Sequence, residues 1–325
     1  MNKKRQQILK WQAQAYIANK DIEQALEITQ ANIPADKWYS FIRKSLLWLS
    51  ILSIAFGVIF FFAYNWQDIS LLTKFALIQG LMLVSLFIYS QSTAQSHVNT
   101  AILFFLALLI GSLFALFGQS YQTGKDPWQL FMLWTLFITP LALSSKSSSL
   151  WILWLSLANL TLHLLLDVRY GLLGLFYNNE HSILLYACFN LLALIIFELL
   201  HHYKLLKNRI TSQVAAVVVM MAFTWVAVFS IFEFTKNGFD LLFYLGWMSA
   251  VYYLYRVKST DILILSSWVV SGIIFILATI GRIVDSDLNG ATFLLFGLLT
   301  IGLSTAGVKW LMKLLKQSHT EGASS

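Results

Sequence analysis

Charged side chains are scarce in this sequence: they make up 11 % of its 325 residues, whereas about a quarter is usual in soluble globular proteins. Hydrophobic residues account for 58 % and aromatic residues for 15 %. Too few polar groups remain to cover a water-soluble fold. The composition therefore excludes a soluble protein and predicts an integral membrane protein whose main partner is the lipid bilayer.

Cysteine is almost absent, and so are the motifs of the common enzyme classes. The single Cys188 lies in an apolar run, which excludes a disulfide framework and the usual cysteine-based zinc sites. The sequence has no HExxH zinc pair, Walker phosphate loop, GxSxG elbow or glycine-rich dinucleotide turn. We therefore expect no metal, no cofactor and no catalytic residues, and a non-enzymatic role is favoured.

Long apolar runs recur along the chain and are separated by short polar connections. A helix crosses the membrane with about 20 mostly apolar residues, and continuous runs do not fit the alternating strands of a barrel. The sequence therefore predicts an all-α polytopic bundle of about ten spans. They cover residues 45–64, 71–90, 99–117, 128–143, 150–167, 182–203, 211–234, 239–255, 261–281 and 290–308.

Lys and Arg occur in short clusters between the apolar runs, so the net charge of +7 predicts membrane orientation and no nucleic-acid partner. With the amino terminus inside, 17 of the 22 basic residues fall on the cytoplasmic side of a bacterial inner membrane, as do both termini. The five outer ones are Lys74, Lys125, Arg169, Lys236 and Arg282. The count favours keeping the short span 128–143, which contains Pro140. A re-entrant hairpin over residues 99–143 would preserve the same count and stays open.

The sequence of residues 1–44 predicts a small cytosolic helical hairpin, which precedes the membrane bundle at residues 45–308. Helical spacing relates Ile8, Trp11, Ala15 and Ala18 in its first helix. A capping-box pattern at Asp21 and Gln24 opens the second helix, and Pro34 opens a third. The hairpin is either an amphipathic leader on anionic lipid or a module that binds a partner. The polar tail 309–325 is expected in the cytosol, with its last ten residues disordered.

Three stretches resemble a bacterial membrane family known as domain of unknown function 2157. They are "ANKDIEQALEIT", "FGVIFFFAYNWQDISLLTKFAL" and "LIGSLFALFGQSYQTGKDPWQLFMLWTLFITPLAL", in the first half of the chain. The resemblance implies a multi-span membrane protein with an amino-terminal cytosolic helical segment, and it implies no established activity or cofactor.

The stretch "GQSYQTGKDPW", residues 118–128, is the densest polar cluster of the central chain. One interpretation is an outward-facing turn, in which Gly118, Gly124 and Pro127 supply the reversal. The other is a binding loop for a small polar ligand, formed together with the polar residues after the first span. Its predicted ligand residues are Gln119, Tyr121, Gln122, Thr123, Asp126, Asn65, Trp66 and Asp68.

A second polar group lies in the fifth span, where Asn159, His163 and Asp167 share one helical face. His beside Asp is typical of a proton relay, but interhelical hydrogen bonds and water at the membrane surface explain the same residues. Glu198 with His202 is interpreted as a solvated pair, Asn190 as a contact between helices, and Ser267 with Ser271 as a packing face.

Two functions remain open at the level of sequence. The first is an accessory or scaffold protein that contacts another membrane or envelope protein; the second is a transporter or receptor for a small polar solute or ion, with possible proton coupling. Transporters usually carry ionisable residues near the middle of the membrane, whereas here they lie at the ends of the spans. This distribution favours the scaffold.

Overall fold

The computed structural model describes residues 8, 11–12, 14, 16–18, 21–28, 35–64, 69–92, 97–121, 126–168, 179–206, 208–233, 239–258, 260–284 and 290–321. Within these ranges every regular element is helical, so the predicted all-α fold is confirmed. The chain divides into two compact units, Met1–Ser112 and Leu113–Ser325.

Among the residues that the structure describes, four regular helices begin in the first unit, and the last of them continues into the second unit. They are α1 (Ile22–Ile28), α2 (Ala35–Tyr64), α3 (Leu71–Gln91) and α4 (His97–Tyr121). The 30 residues of α2 span about 45 Å at 1.5 Å per residue, which exceeds the roughly 30 Å of hydrocarbon. The predicted third helix of the amino-terminal segment and the first span are therefore one continuous helix.

The amino-terminal segment has a small core of its own. Ile8 and Leu26 are buried, and Ile17, Ile22 and Ala25 pack against them. Because Leu26 belongs to α1 while Ile8 comes from the preceding segment, the core brings these two parts of the chain together. The hairpin itself stays a prediction.

The second unit contains the remaining helices. They are α5 (Pro127–Ser145), α6 (Ser148–Val168), α7 (Asn179–His202), α8 (Ile210–Glu233), α9 (Phe239–Tyr252), α10 (Ile262–Val284) and α11 (Gly290–Glu321), with a π segment (Tyr253–Lys258) between α9 and α10. The tail departs from expectation, since α11 remains helical through residues 316–321, where the sequence predicts disorder.

Nine helices of the described ranges are long and apolar enough to cross a membrane, and they correspond to nine of the ten predicted spans. The remaining one, 239–255, is also helical, but its α-helical part has only 14 residues before the six-residue π segment begins. Large apolar side chains point outward on the long helices, as at Leu72, which is 80 % exposed. The chain is a multi-span integral membrane protein.

The lengths of α4 and α5 bear on the alternative of a re-entrant hairpin. The 25 residues of α4 measure about 37 Å and the 19 residues of α5 about 28 Å. Both are among the nine spanning candidates. Helix α4 exceeds the roughly 30 Å of hydrocarbon and α5 nearly matches it, which favours two full spans.

Helix α8 forms the core of the second unit, where it packs against α6, α7, α9 and α10. The residues it buries are mostly small or β-branched, among them Ala215, Ala216, Val219 and Ala227. Small side chains let helix backbones approach closely, which is how helices associate in lipid. This arrangement brings the polar side chains of α7, α8 and α10 close together.

Candidate functional site

The polar stretch 118–128 is more helical than its composition predicts. Helix α4 continues through Gly118 to Tyr121, so Gly118 is not part of a turn and that interpretation of it is wrong. A β-carbon at Gly118 would lie 3.1 Å from Leu130 Cδ1, so the residue's small size serves the contact with α5. Pro127 is the first residue of α5, where its missing N–H costs no hydrogen bond, and Asp126 precedes it in an extended conformation.

The structure describes part of the predicted ligand-binding set. Gln119, in the last turn of α4, and Asp126 are both exposed, and Tyr121 is the last residue of α4. The remaining members lie outside the described residues; they are Gln122, Thr123, Asn65, Trp66 and Asp68. A ligand site formed by the whole set stays a prediction.

The polar face of α6 meets α7 near the midpoint of both helices. Asn159 Nδ2 donates to Asn190 Oδ1 at 3.0 Å, and Asn190 Nδ2 donates to Asn159 Oδ1 at 2.7 Å. The remaining amide hydrogens bond to backbone carbonyls one turn back, at Leu155 and Tyr186. Asn190 is only 1 % exposed. The two amides therefore form a closed pair that satisfies the buried Asn190 and the partly buried Asn159.

His163 lies one turn further along α6, toward its carboxyl end. Its Nδ1 is 3.0 Å from the hydroxyl of Tyr186 on α7, and the His163 side chain is exposed. Asp167 is part of α6, but the structure does not describe its side chain. Of the three predicted relay residues, Asn159 and His163 thus contact the same neighbouring helix, and the relay itself stays a prediction.

A polar network at the other end of α7 was not predicted as a unit. Arg209 Nη2 lies 3.1 Å from Glu198 Oε1, and the same carboxylate oxygen accepts a hydrogen bond of 3.1 Å from the Tyr255 hydroxyl. Glu198 therefore pairs with Arg209 and Tyr255 rather than with His202, whose ring instead contacts Tyr203. The interpretation of Glu198 and His202 as a solvated pair is wrong for this reason.

Asp261 extends the network to α10. Gln213 Nε2 donates to both of its carboxylate oxygens, at 3.2 and 3.0 Å, and Arg209 Nη1 lies 3.8 Å away. The side chain is 6 % exposed and also caps α10 by accepting from the amides of Leu263 and Ile264. A carboxylate is stabilised there by the positive end of the helix dipole as well as by the guanidinium. We call Glu198, Arg209, Gln213, Tyr255 and Asp261 the polar network.

The polar network joins two parts of the chain that are distant in sequence, α7 with α8 and the π segment with α10. The signals that could have revealed it are single residues: an acidic side chain directly before the apolar run of α10, and an arginine directly before that of α8. Each is ordinary alone, because carboxylates favour helix starts and basic residues favour the cytoplasmic side.

A third polar cluster lies inside the unit, between α8, α9 and α10. The Ser271 hydroxyl is 2.6 Å from that of Thr224 and 3.0 Å from that of Tyr244, and all three residues are buried. The sequence predicts Ser271 as part of a packing face. The position is confirmed as a helix contact, held by hydrogen bonds as well as by small size.

In chemical terms these groups bind helices to one another. Nowhere among the described residues do three or more His, Cys, Asp or Glu side chains converge so as to hold a metal ion. Amides, hydroxyls and the salt bridges are directed at neighbouring helices.

Comparison with known proteins concerns the first half of the chain. Comparison of the chain with curated proteins and with solved structures gave no match. Residues 9–151 match the model of a family described as "Predicted membrane protein (DUF2157)". The match includes the three stretches that carry the predicted resemblance, and α7 to α11 lie beyond it. The predicted resemblance is thereby confirmed: over residues 9–151, the chain is similar to the membrane proteins of the DUF2157 family.

Proposed function

We propose that the protein is a non-enzymatic accessory or scaffold protein of the bacterial inner membrane. Residues 1–44 form its cytosolic helical module, residues 45–308 its membrane bundle and residues 309–325 a cytosolic extension. In this proposal the hairpin and the outward loop at 118–128 contact other membrane or envelope proteins. The excess of Lys and Arg on one set of connections supports the inward orientation of both termini.

The observation that carries the proposal is the mutual pairing of polar side chains deep in the second unit. Asn159 pairs with Asn190 through both amides, and Ser271 bonds to Thr224 and Tyr244. A transport route needs polar groups that are free to exchange partners with a solute. Groups that satisfy one another instead fix the positions of the helices, which is what a scaffold requires.

The amino-terminal segment provides a second, independent argument for the proposal. Its core of Ile8 and Leu26 gives the segment a defined shape, while Ile28 is 76 % exposed. Exposed apolar side chains on a folded module favour contact with a partner or with lipid. We assign them to a protein partner, with lipid as the outcome that would exclude it.

Site-specific photocrosslinking in intact cells tests this function. A photoreactive amino acid at Ile28 or at Gln119 is expected to give discrete protein adducts, whereas the same group at Leu72, which is 80 % exposed on an apolar span, gives lipid adducts. Leu26→Asp, which places a charge in the hairpin core, should remove the Ile28 adduct and leave the Gln119 adduct.

The outcome that would contradict the function is equally specific. Lipid adducts alone at Ile28 and Gln119, at the level seen for Leu72, would mean that neither surface contacts a protein.

Proton-coupled transport is a second candidate function, and one contact favours it. The imidazole of His163 is bonded to Tyr186 beside the Asn159–Asn190 pair, so a titratable group adjoins a chain of hydrogen-bonding side chains. Under this alternative, His163→Gln abolishes the pH dependence of solute uptake by cells that express the protein. Uptake with the same pH profile in the variant would exclude the relay.

A further inference from the structure

We infer that the π segment Tyr253–Lys258 is a two-state element, which the hydrogen bond from Tyr255 to Glu198 holds in its π form. In that form it links the polar network to the carboxyl-terminal part of α11. Loss of the bond lets the segment return to the α-helical winding of α9, and the residues after Tyr255 then rotate about the helix axis.

The first observation is the winding itself. Helix α9 ends at Tyr252 and the chain continues for six residues as a π-helix. Such turns are rare, and short ones within α-helices occur frequently at functional sites. Since α-helical hydrogen bonds are the usual outcome for this backbone, some other contact must favour the wider turn.

Tyr255 supplies two such contacts. Its side chain is buried, and its hydroxyl donates to Glu198 Oε1 at 3.1 Å. Its carbonyl accepts from the amide of Asp261 at 3.2 Å, six residues further on. The residue is therefore held at its side chain by α7 and at its backbone by the residue that caps α10.

The contacts of Tyr255 depend on the rest of the polar network. Glu198 Oε1 also receives Arg209, and Arg209 reaches Asp261 on its other side. A change in the position of the α7–α8 connection moves both residues that hold Tyr255. The π segment is thus coupled to the packing of α7 against α8.

Arg256, the residue after Tyr255, couples the π segment to α11. Arg256 Nη2 lies 3.4 Å from Gln317 Oε1 on the carboxyl-terminal part of α11, and Val257 and Lys258 are exposed. A π turn contains one more residue than an α turn. If the segment returns to α-helical winding, its later residues therefore rotate about the helix axis by about 100°, since an α-helix has 3.6 residues per turn. Arg256 would then point away from Gln317.

Spin-label distance measurement on the full chain tests the inference. Cys188, the single native cysteine, is replaced by Ser, and labels are placed at Val257→Cys and Lys313→Cys, two exposed positions on the π segment and on α11. Tyr255→Phe should shift the distance by several ångströms, on the order of 8 Å for a side chain about 5 Å from the axis. Glu198→Ala removes the same bond and should give the same shift, and the double variant should shift no further.

The matched control is Tyr253→Phe, which removes a hydroxyl from the same segment at a position 62 % exposed. It should leave the distance unchanged. The inference is overturned if Tyr255→Phe gives the parent distance, or if Tyr253→Phe shifts it as much.

Discussion

At the scale of single residues, the protein shows how isolated amides are accommodated in a bundle surrounded by lipid. Asn159 and Asn190 are 31 positions apart, yet each donates to the other and to its own helix. An unpaired amide in hydrocarbon costs several kcal/mol in principle, whereas measured interhelical hydrogen bonds contribute about 1 kcal/mol. The pair therefore specifies which helix faces meet more than it adds to stability.

Removing one amide or both should have different effects. Asn190→Leu leaves the Asn159 amide without its partner, so we expect the free energy of unfolding to fall by about 2 kcal/mol. The double variant Asn159→Leu with Asn190→Leu leaves no polar group behind and should recover much of this loss. Thermal denaturation in detergent measures both. A double variant as unstable as the sum of the single variants would show that the amides act separately.

The sequence identifies as candidate site residues those polar side chains that stand in an otherwise apolar run. Asn159 and His163 interrupt an apolar run, so their shared face was recognisable. Their partners on α7, Asn190 and Tyr186, required the three-dimensional contact. Arg209 and Asp261 were missed as a pair because they are ordinary at helix ends and are separated by the whole of α8 and α9.

At the scale of elements, the length of apolar runs predicted the helices well and their ends less well. Nine predicted spans correspond to long helices, because a chain in lipid satisfies its backbone hydrogen bonds internally. The same requirement explains the error at Gly118: the helix continues past the last apolar residue until its hydrogen bonds can be met by water. The π segment is set by the contacts of Tyr255, so no local pattern predicts it.

The contact between α10 and α11 provides a test at this scale. A β-carbon at Gly307 would lie 2.4 Å from Val269 Cγ1, whereas at Gly302 it would meet nothing within 4 Å. We expect Gly307→Ala to lower the free energy of unfolding by about 2 kcal/mol through overpacking, and Gly302→Ala to leave it unchanged or slightly raised. Chemical denaturation in detergent compares the two.

Val269→Ala supplies the corresponding rescue. It removes the methyl group that a β-carbon at residue 307 would meet, so the double variant with Gly307→Ala should be more stable than Gly307→Ala alone. Equal instability of the two would mean that the clash lies elsewhere.

At the scale of the whole molecule, the family match and the apolar helices together define a multi-span membrane protein. Asn159 with Asn190, Ser271 with Thr224, and Glu198 with Arg209 join neighbouring elements of its second unit, and no metal-holding cluster of His, Cys, Asp or Glu occurs among the residues described. This distribution is the observation on which we base the proposed scaffold role, and composition alone could not reveal it, because it depends on which polar groups meet.

Orientation in the membrane is the prediction that belongs to this scale. With Cys188 replaced by Ser, a cysteine at Lys125 should react with a membrane-impermeant maleimide in intact cells, since the excess of basic residues predicts that this connection is outside. A cysteine at Lys146, between α5 and α6, should react only after the membrane is permeabilised. Labelling of Lys146→Cys in intact cells would mean that the orientation is the reverse of the predicted one or that one of the preceding helices does not cross the membrane.

Water access to the interior of the second unit is the most direct measurement of the proposed function. Ala187 is fully buried on α7, one turn from Asn190, so Ala187→Cys in a chain with Cys188→Ser leaves the amide pair intact. Maleimides react with the thiolate, which forms in contact with water. A closed scaffold predicts that this cysteine stays unlabelled in intact and in permeabilised cells, under conditions that fully label Gln119→Cys. Labelling of Ala187→Cys at a rate comparable to Gln119→Cys would reveal a water-filled route beside Asn190 and contradict it.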